Sequence, residues 1–155
     1  MRSSKSADYE RDRVSEFETM PAFLLNHIVH KYNHILQSRL RSVGVSPLQM
    51  RIILSLNAHG RLTVGELCNF AIAEQPTMSR ALDSLEAQGL VRREMSESDS
   101  RLRLITLTDK GMSVHDDIRP VVMGMNEAML AGQAGEQRED LIRQLGTMLV
   151  SLQRL

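Results

Sequence analysis

The chain has 155 residues, of which 42% are hydrophobic, enough for one domain with a sizeable core. Its 19 basic and 19 acidic side chains cancel, which argues against a nonspecific coat on nucleic acid, and its single cysteine excludes an internal disulfide and fits a reducing compartment. No apolar run is long enough to span a bilayer and the N-terminus lacks a signal-peptide core, so a cytoplasmic protein without a membrane partner is expected.

Residues 1–18 are polar and charged and read as a flexible N-terminal arm. A long helix is predicted from about Pro21 to about Val43, with Leu25, Ile28, Val29, Tyr32, Ile35, Leu36 and Leu40 as its apolar stripe. His27, His30 and His34 follow one another at single helical turns on a neighbouring face. They are compatible with a metal, with a small-molecule or interface lining, or with plain helix surface. Gly44 breaks the helix. Ser46-Pro47-Leu48-Gln49 then supplies an N-cap, a proline at the first position and a glutamine at the third, so a second helix starts, carrying Met50, Ile53, Leu54 and Asn57.

Thr63 and Glu66 form a second capping box, and Val64, Leu67, Cys68 and Ala71 make the apolar face of the helix that follows. Cys68 on that face is expected to be a core thiol. The next helix begins near Pro76, turns Met78, Ala81, Leu82 and Leu85 inward, leaves Thr77, Ser79, Arg80 and Asp83 outward, and stops at Gly89. Two short helices joined this tightly make a helix-turn-helix, whose second helix offers its N-terminal residues to base edges in the major groove. Gln75, Thr77, Ser79 and Arg80 stand at that end, where arginine suits guanine and glutamine suits adenine.

Leu90 to Met95 and Arg101 to Thr108 are predicted strands around a polar turn, with imperfect alternation in LRLITL that allows a bulge. A hairpin directly after a recognition helix is a wing. Asp99 and Arg101 near its tip are spaced to pair and to hold the guanidinium out toward a narrow minor groove. Thr108 caps a long helix with Val114, Ile118, Val121, Val122, Met125 and Met129 on its inner face, bent at Pro120. After a loop from Gly132 to Gly135, a last helix shows Leu141, Leu145, Met148, Leu149 and Leu152 at helical spacing. Terminal helices this apolar mark a partner surface.

The order LT-x-x-EL, QPTMSR, LDSLEAQGLV, D-x-R and LT-x-x-G resembles the MarR family of winged helix-turn-helix transcription regulators, from about Pro21 to the C-terminus. The resemblance implies a mostly α fold with a small β-wing. Residues 19–155 would form one domain, with a DNA-binding part at about 46–109 and dimerisation helices at about 19–43 and 109–155 that interlock between two subunits. It implies a homodimer on an inverted-repeat operator in double-stranded DNA, acting as a ligand-responsive repressor. Activation, or sensing of a metal or oxidant, is the alternative. The candidate DNA-contacting set is Thr63, Gln75, Pro76, Thr77, Ser79, Arg80, Asp99, Arg101 and Arg103. The implied effector pocket gathers His27, His30, His34 and Arg51, whose charges suit a small organic acid. No cofactor is expected. One departure stands out: the turn between the two helices has Ile72 where the family has glycine. A β-branched residue disfavours positive φ, so this turn is expected to differ.

No nucleophile–base set, phosphate-binding glycine loop or metal-binding helix motif is present, which excludes the common enzyme classes. A winged helix that binds proteins instead of DNA is the remaining competitor, and Arg80 with the Asp99–Arg101 pair argues against it.

Overall fold

A computed structural model describes residues 16–95 and 102–155, so most of the N-terminal arm and the wing tip with Asp99 and Arg101 lie outside the described residues. The elements in order are α1 (Pro21–Leu40), α2 (Pro47–His59), β1 (Leu62–Thr63), α3 (Val64–Ala71), α4 (Gln75–Ala87), β2 (Val91–Met95), β3 (Arg103–Leu107), α5 (Asp109–Met129) and α6 (Glu136–Leu152).

Both predicted capping boxes form. Ser46 Oγ accepts from the Gln49 amide at 3.2 Å while Gln49 Oε1 accepts from the Ser46 amide at 2.9 Å. Gln49 Nε2 also donates to Ser84 Oγ at 3.2 Å, which ties α2 to α4. Helix α2 buries Met50, Ile52, Ile53 and Leu56. Asn57, expected on that face, is exposed, because the buried stripe of α2 runs one position earlier.

The fold is mostly helical with one three-stranded antiparallel sheet in the order β1-β3-β2. Strand β1 has only two residues and no periodicity to betray it. It pairs Leu62 with Ile105 and Thr63 with Leu104. Strands β2 and β3 pair in unbroken register from Val91↔Leu107 to Met95↔Arg103, without the bulge that the imperfect alternation allowed. The alternation fails for another reason. Strand β3 lies between β1 and β2, and consecutive residues Ile105 and Thr106 are both buried.

The core joins the lower end of α1 (Leu36, Leu40) to α2, α3, α4 and Ile118 of α5. The upper part of α1 stays outside it. Leu25, Ile28, Val29 and Ile35 are 36–54% exposed, and α6 buries no residue at all. Helix α5 runs unbroken through Pro120, and Met129 at its end is exposed. No helix among the described residues is long and apolar enough to cross a membrane.

Candidate nucleic-acid interface

The α3–α4 pair is built as the sequence predicts. Thr63 caps α3, its hydroxyl accepting from the Glu66 amide at 3.2 Å and donating to the Glu66 carboxylate at 2.8 Å. These bonds, that from the Thr63 amide first, hold the Glu66 carboxyl below its ordinary pKa. Helix α4 starts at Gln75 with Pro76 one residue in, and buries Met78, Leu82 and Leu85. Its N-terminal turn leaves Gln75, Pro76, Thr77, Ser79 and Arg80 exposed on the opposite side. The Arg80 Nε donates back to the Pro76 carbonyl at 3.3 Å, so the guanidinium lies along the helix toward its N-terminus. Arg103 is exposed at the start of β3, opposite Met95. Thr63 is half-buried, with its hydroxyl held in the cap.

The turn corrects the expectation about Ile72. It takes the left-handed conformation, φ 55° and ψ 68°, that glycine would adopt. An L-residue there costs roughly 1–2 kcal/mol. Two features hold the strained turn. The Ala73 amide donates to the Cys68 carbonyl at 3.1 Å, and Arg51 Nε on α2 donates to the Ala71 carbonyl at 2.7 Å. The Ile72 side chain is 78% exposed, so its bulk meets nothing that would push it back.

At the other end of α4 the chain turns through a Schellman motif. Gly89 has φ +72°, the Leu90 amide donates to the Leu85 carbonyl at 2.9 Å, and the Gly89 amide donates to that of Glu86 at 2.9 Å. The start of α5 is fastened onto this cap. Thr108 Oγ1 donates to the Gly89 carbonyl at 2.7 Å, Lys110 Nζ to that of Gln88 at 2.8 Å, and the Thr108 amide to that of Leu90 at 3.1 Å. Gly111 sits so close that a Cβ there would collide with the Leu90 carbonyl oxygen. The LT-x-x-G spacing therefore has a physical meaning: Thr108 caps α5 by accepting from the Gly111 amide, and Gly111 makes room for the end of α4.

The wing is tied to α4 by Arg93 of β2. Its terminal nitrogens donate to Glu86 at 2.5 Å and to Asp83 at 2.6 Å. Sequence reasoning counted these charges as balanced and missed that they meet. Asp83 and Glu86 lie three apart on one helix face, the only sign of their common partner.

The structure does not bring Arg51 to the histidine stripe within one chain. Arg51 is half-buried against the end of α3, and burial lowers its pKa. Asp116, a carboxylate on α5, lies 3.1 Å from His115 Nδ1. His27, His30 and His34 line an open hollow on α1 with Ile28, Lys31 and Ile35. No cluster among the described residues has the three or more His, Cys, Asp or Glu side chains a metal would need. Cys68 is half-buried, packed against the core on one side and lining a surface hollow with Gly65, Asn69 and Ile72 on the other. A core thiol was expected, and one side of Cys68 does meet the core.

A helix-turn-helix whose second helix carries an exposed polar N-terminus, followed by an antiparallel ribbon, defines a winged-helix protein. A model of the MarR family matches residues 43–102. A MarR-family transcriptional regulator from Silicibacter pomeroyi is 35% identical, with a TM-score of 0.78 over 86% of this chain and 90% of that one. A second from the same organism is 30% identical, with a TM-score of 0.83 over 91% of this chain and 95% of that one. MepR of S. aureus, solved in complex with DNA, is similar in fold, with 23% identity and a TM-score of 0.78 over 87% of this chain and 98% of that one. The chain belongs to the MarR family of transcription regulators, and it is not an enzyme.

Proposed function

We propose that this chain is a homodimeric repressor that reads an inverted-repeat operator through α4. The observation that carries the reading is the exposed N-terminal turn of α4, where Gln75, Thr77, Ser79 and Arg80 face solvent while Met78 and Leu82 anchor the helix in the core. Arg80 reads a base edge and Arg101 reads the shape of the minor groove. Thr63, Pro76 and Arg103 contribute backbone contacts, and Asp99 braces Arg101. With a net charge of zero, phosphate contacts are few and the salt dependence is modest. Dimerisation is supported by α6, which buries nothing within one chain, and by the exposed apolar residues of α1.

The effector of this reading is a small organic acid. Two basic hollows support it. One is the histidine stripe with Lys31, and the other lies at the wing base, lined by Arg61, Asn57, Arg92 (whose Nε is held by Glu94) and Thr106, whose buried hydroxyl has no partner among the described residues. Arg51 serves the turn instead of the ligand. Binding shifts the dimer toward a spacing of its recognition helices that the operator does not accept.

Selection of bound duplexes from a random library tests the core of this proposal. An enriched palindrome whose preference relaxes at one position per half-site in Arg80→Ala, at a cost of about 1–3 kcal/mol, is the expected result. Equal binding to every sequence overturns it. A thermal-shift series with small carboxylates, repeated on His30→Ala and Arg92→Ala, tests the effector. An unchanged midpoint with every acid removes it.

A further inference from the structure

Helix α4 and strand β2 each carry charge that would act badly alone. Asp83 lies one turn beyond Arg80 on the outward side of α4, and Glu86 lies three residues further on. Two carboxylates on that helix face would repel a phosphate backbone. Arg93 comes from the other element and engages both, with Glu86 at 2.5 Å and Asp83 at 2.6 Å. Its side chain is only 25% exposed, and its planar fork matches two acceptors at fixed positions. A single exposed ion pair contributes little, but a shielded guanidinium shared by two acids fixes a geometry as well as an energy. No other side-chain bond among the described residues links α4 to β2. Besides the Arg93 bridge, the two elements share the Schellman turn at Gly89 and the apolar packing of Leu90 and Val91 with Leu82 and Leu85, which hold the base of the ribbon but not its outer face.

We infer that Arg93 is a positioning residue for DNA recognition: by bridging Asp83 and Glu86 it sets the angle between the recognition helix and the wing ribbon, and so the match between base reading and groove contact. The inference rests on the proposal that α4 and the wing hold DNA. It explains why two acids are tolerated beside Arg80. They are the docking points of the ribbon, and the same guanidinium that binds them cancels much of their field.

The clamp and simple electrostatics differ in what they predict for discrimination. Asp83→Asn with Glu86→Gln removes two negative charges per subunit, which by Coulomb terms alone tightens binding to any duplex equally. If the clamp positions the wing, the double variant gains affinity for a scrambled duplex and loses discrimination. The experiment measures affinity for a palindromic duplex selected by the wild-type protein and for a scrambled duplex of the same length. It uses wild type, Arg93→Ala, Arg93→Lys and the double variant, with a thermal melt of each. The ratio of the two affinities falls about tenfold, equivalent to roughly 1.4 kcal/mol, in Arg93→Ala and in the double variant. Arg93→Lys, a point charge able to serve one acid, recovers part of it. The melting points of the double variant and of Arg93→Lys stay near that of wild type, so loss of fold does not mimic the effect. If wild type discriminates and the ratio stays within about twofold in all variants, the inference is overturned while the DNA-reading proposal stands. An equal loss on both duplexes makes Arg93 a phosphate contact and likewise overturns it. If wild type itself shows no preference between duplexes, the proposal falls and takes the inference with it.

Discussion

The segment from α2 to the start of α5 and the two terminal helices follow opposite rules. In the first, Ile52, Ile53, Leu67, Met78 and Leu85 are fully buried, α2, α3 and α5 start on side-chain caps, and the end of α4 is bonded three times to the start of α5. In the second, α6 has no buried residue, and the upper part of α1 exposes Leu24, Leu25, Ile28 and Val29. The first region satisfies itself within one chain. The second has the composition of a core with its other half missing, which is the physical basis for expecting a second copy.

The largest effect should come from the joint between the two regions. Gly111→Ala forces a methyl group against the Leu90 carbonyl, backbone against backbone, and should cost about 3 kcal/mol in urea unfolding. A loss below about 1 kcal/mol would mean that α5 is not seated on the α4 cap as described. Next in size, Leu145→Glu with Leu149→Glu on α6 should abolish the dimer and make melting independent of concentration, a loss on the order of 2 kcal/mol or more of association energy. Gly89 to Arg93 and the α3–α4 pair should remain folded, as read by amide exchange. If the winged segment melts as well, the two regions are not separable. A smaller gain is expected from Ile72→Gly, which relieves the left-handed strain and should stabilise by up to about 1 kcal/mol, less the entropy glycine adds to the unfolded chain. A destabilised variant would show that the exposed Ile72 side chain holds a contact.

The smallest prediction concerns pH. The folded-state pKa of Glu66 is depressed by its bonds to Thr63, so its contribution is present above the ordinary carboxylate range and is lost as pH falls through the depressed value. The melting difference between wild type and Glu66→Ala should therefore shrink on acidification from neutral pH. A difference that grows instead would contradict the cap.

Much of this was legible in the sequence because local signals carry it. Ser46 with Gln49, Thr63 with Glu66, and Thr108 before Gly111 announce helix starts through their own side chains, and Met78, Leu82 and Leu85 announce the buried face of α4 by spacing alone. What was not legible depends on residues distant in sequence. Strand β1 is defined only by its pairing with Ile105 and Leu104, Arg93 only by Asp83 and Glu86, and Arg51 only by the Ala71 carbonyl. Ile72 shows the limit of a local rule. Its propensity argues against a left-handed turn, yet the bonds made by Ala73 and Arg51 around it outweigh that preference.

The central claim is that two copies of α4 read one operator. Sedimentation of the protein with a selected palindromic duplex, and with a duplex holding one half-site, tests it most directly. The account predicts two chains per palindrome, a footprint with a dyad, and much weaker binding to the half-site. One chain per duplex at full affinity, or no difference between the two duplexes, would contradict it.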